Sequence, residues 1–146
     1  MRAQPVINLA FWHRATRHYR VQTSDHLQLR KYIKMEELPE KVLIGWFAHE
    51  LGHIMDYRER SALNLISFVL RYLAVPNYRM GAERRADLYA IDHGFGDALM
   101  ATKRYILEQS KLPDHYKKRI KRYYLSPTEL ETILKEKEAA LTQVLQ

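Results

Sequence analysis

Hydrophobic and polar residues alternate over Arg17–Ser24 (RHYRVQTS) and again over Leu27–Lys34 (LQLRKYIK), with Ser24-Asp25-His26 between them. Period-two runs of aromatic and β-branched residues around a polar turn predict an antiparallel hairpin. Residues 6–14 fit helix and strand equally. Beyond Pro39 the period changes to helical. VLIGWFAHELGHIMDYRER runs without a breaker to about Arg60, and its first half is apolar all round, the pattern of a helix buried on most sides. A second helix is predicted over Ala62–Ala74, stopped by Pro76-Asn77, and a third over Met80–His93, ended by Gly94. A fourth spans Asp97–Ser110 and a fifth, short and basic, Asp114–Tyr124. Ser126-Pro127-Thr128-Glu129 is a capping box with Pro at the first helical position, opening a sixth helix. The expected fold is α+β: one mostly helical domain over residues 1–146, with a short antiparallel sheet against the first helix.

At 146 residues the chain is long enough for one domain with a core of its own. It holds no cysteine, which excludes disulfides, zinc–thiolate sites, iron–sulfur clusters and cysteine nucleophiles. Its 24 Lys and Arg exceed 17 Asp and Glu, a formal charge of +7. The N-terminal residues show no secretory signal, so a cytoplasmic, reducing location is expected. The longest apolar run, Ala62–Val75, is shorter than the ~20 residues of a spanning helix.

The first helix carries His49-Glu50-Leu51-Gly52-His53. Residues i and i+4 lie one turn apart on one helix face, so both imidazoles can address one ion. Glu50 is turned by about 100° from His49 and can hold a water beside that ion and take its proton. Two histidines and a glutamate inside an apolar helix are costly to bury unless something compensates them, and a zinc ion does so. With no cysteine, a third ligand must be His, Asp or Glu. Glu59 lies six residues beyond His53, but Asp56 stands where a helix-ending glycine would be needed to bring it back. Glu83 on the third helix is the better candidate. Asp87, four residues on, can accept a hydrogen bond from a ligand imidazole. Ala86 and Ala90 keep that helix face thin, and Gly45 and Gly52 do the same from the first helix.

His49-Glu50-x-x-His53 followed by Glu83-x-x-x-Asp87 resembles the gluzincin pattern of zinc metallopeptidases. HELGHIMDY and ERRADLYAIDHGFG look most like the minimal members called minigluzincins, and are similar to the catalytic core of CAAX prenyl-protease-type peptidases. The resemblance covers about Arg17–Gly96. It implies a zinc metalloendopeptidase holding one Zn2+ through His49, His53 and Glu83. It further implies Glu50 as general base and acid, and Asp87 as the acceptor for His49. The Arg17–Ser24 strand would pair with an extended peptide substrate, and the helix after Ser126 would cover the cleft of a latent form. No motif names an oxyanion-stabilising residue; Tyr57, Tyr89 and His93 are candidates, and Asp56 either orients His53 or is simply solvated.

Three competing readings follow from other features. One is a zinc-holding regulatory protein without hydrolytic activity. A second is nucleic-acid binding through Lys117, Lys118, Arg119, Lys121 and Arg122 interleaved with Tyr116, Tyr123 and Tyr124, though a solvated helix face explains them better. A third is membrane association through Ala62–Val75, though a buried helix explains that run better.

Overall fold

The computed structural model describes residues 1–23, 35–109 and 111–144. The turn at Ser24-Asp25-His26 and the strand expected over Leu27–Lys34 lie outside the described residues. Strands β1 (Arg2–Pro5) and β2 (Tyr19–Gln22) pair antiparallel, Ala3 opposite Val21 and Pro5 opposite Tyr19. The alternating stretch at Arg17–Ser24 therefore supplies β2, but its described partner is the N-terminal segment. Four residues including a proline are too few to show alternation. The ambiguous segment 6–14 resolves into a short 3-10 turn at Leu9–Trp12.

Six α-helices follow among the described residues: α1 (Glu40–Arg58), α2 (Ala62–Ala74), α3 (Pro76–Asp92), α4 (Gly96–Arg104), α5 (Asp114–Tyr123) and α6 (Pro127–Val144). The architecture is α+β, helical apart from the two-stranded sheet. None of the described helices is long and apolar enough to cross a membrane.

Local chemistry sets the boundaries. Ser61 caps α2 by accepting the N–H of Asn64. Ser126 and Glu129 form the reciprocal capping box, Oγ accepting from the Glu129 N–H and Oε2 from the Ser126 N–H. Helix α3 begins at Pro76, four residues earlier than its pattern suggests. A proline tolerated at the first helical position both stops α2 and opens α3. The Arg79 guanidinium donates to the carbonyls of Tyr72 and Leu73, which helps close the end of α2 with only Val75 between the helices. Gly94, at φ +86°, ends α3. Helix α4 widens into a π-turn over Tyr105–Gln109 rather than continuing as α-helix.

Helix α1 is the centre of the packing, flanked by α3, α4 and β1. Its apolar pattern overstates its burial, since Ile44 and Leu51 remain largely exposed. Ala82, Ala86 and Ala90 form a buried small-residue face along α3. Gly52 meets it so closely that a Cβ there would lie 2.2 Å from the Ala86 carbonyl oxygen. On the other flank, Gly45 abuts the Ala98 carbonyl of α4. Helix α6 packs through Leu130 into the cluster formed by Ala48, Ala90, Ile91, Leu99 and Leu125, and Arg84 pairs with Glu129.

Gly52→Ala should therefore separate α1 from α3. The expected destabilisation is about 2–3 kcal/mol, roughly 6–12 °C in melting temperature for a chain of this size, measurable by thermal denaturation. An unchanged melting temperature would show that the helices are not so close.

Candidate metal centre

The α1–α3 contact determines what the polar residues can reach. His49, Glu50 and His53 project from α1 and Glu83 and Asp87 from α3, all five buried. One carboxylate oxygen, Glu83 Oε2, lies 3.2 Å from His49 Nε2 and 3.2 Å from His53 Nε2. The donor atoms of this trio all fall within 4.8 Å of one another. A tetrahedral zinc with bonds of about 2.0–2.1 Å separates its ligand atoms by roughly 3.3 Å, which the two Glu83–histidine distances match. Two imidazoles and one carboxylate also form a donor set used by catalytic zinc sites.

Hydrogen bonding around the trio strengthens the fit. Asp87 Oδ1 lies 2.7 Å from His49 Nδ1. With the Nδ1 proton given to Asp87, the Nε2 lone pair of a neutral His49 faces the Glu83 carboxylate, an arrangement that needs a cation between them, either a proton or a metal. In the metal-free protein a proton serves. Burial disfavours the imidazolium, but the charge and hydrogen bond of Asp87, with the bond to Glu83, prevail and raise His49 to about 9. Burial would likewise raise Glu83, yet hydrogen bonds from both histidines and their charges hold it well below the usual carboxylate range. Asp87, fully buried, also takes Lys103 Nζ at 2.9 Å and the Leu125 N–H at 3.1 Å. The lysine charge and His49 keep it ionised against the cost of burial.

Glu50 lies outside the trio. Its Oε2 accepts the Ala3 N–H at 2.6 Å, which fastens β1 over the start of the motif. The Val6 N–H donates to the His18 carbonyl. Antiparallel alternation then places the even residues of β1 against β2 and turns the backbone groups of Ala3 and the Pro5 carbonyl away from it. Thus β1, rather than β2, is the strand beside Glu50. A cavity of about 140 Å3 opens there, walled by Trp46, Ile106, Tyr116, Ile120 and Tyr124 with Met1 and Arg119. Burial lowers the Met1 amine below its ordinary value, against the opposing pull of Glu50. No residue of α6 lines this cavity. The helix expected to cover the cleft packs elsewhere, because its apolar face matches the core between α3 and α4.

Other candidates fall away from the centre. Glu59 is exposed at the end of α1 and receives a hydrogen bond from Tyr89. The continuing helix carries it outward, as Asp56 implied. Asp56 itself is bound by Arg60 at 2.8 Å and lies 3.4 Å from Arg85, while His53 Nδ1 has no hydrogen-bond partner among the described residues. Asp56 therefore does not orient His53. His93 is exposed, with its ring held by the Tyr89 carbonyl. Tyr57 does reach the centre and stacks on His53 at 5.9 Å.

Three contributors carried no sequence signal. The Tyr72 hydroxyl from α2 donates to Glu83 Oε1, leaving Oε2 to face the histidines. Lys103 neutralises Asp87. Tyr124 packs its ring 5.2 Å from His49. Two of the three tyrosines in the basic segment, Tyr116 and Tyr124, thus line the cavity, and the guanidinium groups of Arg79 and Arg122 lie 5.5 and 5.3 Å from the Tyr123 ring centre. Compared with known proteins, the chain matches no family model, no curated protein and no solved structure.

Metal uptake at this trio would displace the His49 proton. Zinc binding at pH 7 is expected to release about one proton, and its affinity to rise about tenfold per pH unit until pH approaches 9. Competition against a chelating indicator across this range checks it, and pH-independent uptake would contradict it. Glu83→Ala should lower the affinity at least about a hundredfold, by analogy with the cost of disturbing metal-site partners.

Proposed function

We propose that this chain is a zinc-dependent metallopeptidase that hydrolyses peptide bonds. The observation that carries the reading is the convergence of His49 Nε2, His53 Nε2 and Glu83 Oε2, with Glu50 and His49 both lining the adjoining cavity. A bound zinc ion would polarise the scissile carbonyl and acidify the attacking water. The chain's own residues do the remaining work. Glu50 accepts the proton of the attacking water and delivers it to the leaving amine, its carboxylate aimed by the Ala3 N–H. Asp87 fixes the His49 tautomer, and Lys103 keeps Asp87 ionised. Tyr72 ties down the other oxygen of Glu83.

The strand above Glu50 supports an extended substrate. Of the β1 backbone groups that point away from β2, the Ala3 N–H is held by Glu50, and the Ala3 and Pro5 carbonyls are left to accept from an extended peptide main chain. The substrate class is accordingly a peptide or protein segment able to lie extended beside β1.

Glu50→Gln separates chemistry from metal holding. It is expected to lower the rate of peptide hydrolysis by at least about a hundredfold while leaving zinc stoichiometry unchanged. Cleavage of a peptide library by mass spectrometry, paired with elemental analysis, reads both. Undiminished cleavage by the variant would contradict the role of Glu50. Stoichiometric zinc without cleavage by the unaltered chain would favour a metal-holding regulatory protein.

A further inference from the structure

Helix α2 is apolar on two sides. Its inner side buries Ala62, Leu65 and Phe68 against Phe11, Tyr57 and Ala82. Its outer side leaves Leu63 72%, Leu70 63% and Leu73 66% exposed, with Ile66 and Val69 between them. At 100° per residue these five form one continuous stripe, while Asn64, Ser67 and Arg71 share a separate polar wedge. The segment that carries Ile7, Leu9 and Trp12, all exposed, is fastened near the start of this helix. Arg14 donates to the Arg58 carbonyl, and Arg17 to the carbonyls of Phe11 and Arg60.

Charge identifies the occupant. Residues 1–24 and 60–82, which hold every apolar side chain just named except Tyr57, contain seven arginines and no aspartate or glutamate. Of the acids nearest the α1–α2 junction, Asp56 is paired with Arg60 and Arg85, while Glu59 remains an exposed charge that accepts from Tyr89. Arg14 and Arg71 are exposed, and Arg79 is anchored at the end of α2.

We infer that this face docks peripherally on an anionic lipid bilayer, with α2 lying in the interface plane. An amphipathic helix flanked by arginines and a tryptophan binds in that way, through apolar burial together with attraction to acidic headgroups. A second copy of the chain fits less well. The α2 stripe alone, on a 13-residue helix about 20 Å long, offers a few hundred Å2, so a dimer burying the ~800 Å2 per partner of a stable interface would have to cover Ile7, Leu9 and Trp12 as well. Two copies would also oppose acid-free, arginine-bearing faces. Since no described helix is long enough to span, the chain lies on the bilayer surface. This inference is independent of the peptidase reading.

The test is co-sedimentation of the full chain with vesicles of phosphatidylcholine alone or mixed equally with phosphatidylglycerol, beside an L70E/L73E variant. Both substituted positions are exposed, so circular dichroism should show an unchanged fold. The unaltered chain is expected to bind the mixed vesicles, to bind phosphatidylcholine at least about tenfold more weakly, and to release with added salt. The variant is expected to lose at least about tenfold in affinity for the mixed vesicles. Absence of binding to mixed vesicles, or binding that the variant retains in full, would overturn the inference. So would a concentration-dependent dimer in analytical ultracentrifugation that the variant abolishes, since the occupant would then be a second copy.

Discussion

The structure depends on how a buried ring of charge is neutralised. Two imidazoles and two carboxylates lie at the interface of α1 and α3, where an unpaired charge would cost several kcal/mol. Asp87 is held by His49, Lys103 and the Leu125 N–H, and Glu83 by Tyr72 and both histidines. One place in this network stays electrostatically awkward, where His49 Nε2 and Glu83 Oε2 face each other. A cation resolves it. On the proposed reading, the same geometry that burdens the metal-free fold would serve as the receptor for a divalent ion.

Helix packing makes this ring possible. Gly52 against the Ala86 carbonyl brings the α1 and α3 backbones together, and the alanines of α3 hold that closeness along its length. Longer side chains on either helix would move Glu83 away from the histidines. Site and core are in this sense one construction. The helix that supplies Tyr72 to Glu83 presents its other face outward, so α2 links the polar centre to the apolar surface.

Much of this was legible in the sequence, because the informative residues recur at helical spacing. His49 and His53, like Glu83 and Asp87, are separated by one turn, and one turn fixes a shared face whatever the tertiary fold. The capping box at Ser126–Glu129 and the stop at Gly94 were local chemistry of the same kind. What stayed hidden was non-local. Ala3 contributes a backbone N–H, which any residue but proline could supply. Tyr72 belongs to a helix whose pattern announces only burial, and Lys103 looks like one more basic residue near a helix end. Pro76 was ambiguous because one residue can close a helix and begin the next. The fate of α6 depended on which apolar surface offered the better match, and that is decided only when all the helices are assembled.

The central claim is that one divalent cation is held by two imidazole nitrogens and one carboxylate oxygen. X-ray absorption at the zinc edge of the loaded, unaltered chain tests it most directly. The expected spectrum shows a first shell of nitrogen and oxygen at about 2.0–2.1 Å, with outer-shell scattering from two imidazole rings. A first shell of oxygen alone, without imidazole scattering, would contradict the account, as would a chain that takes up no zinc.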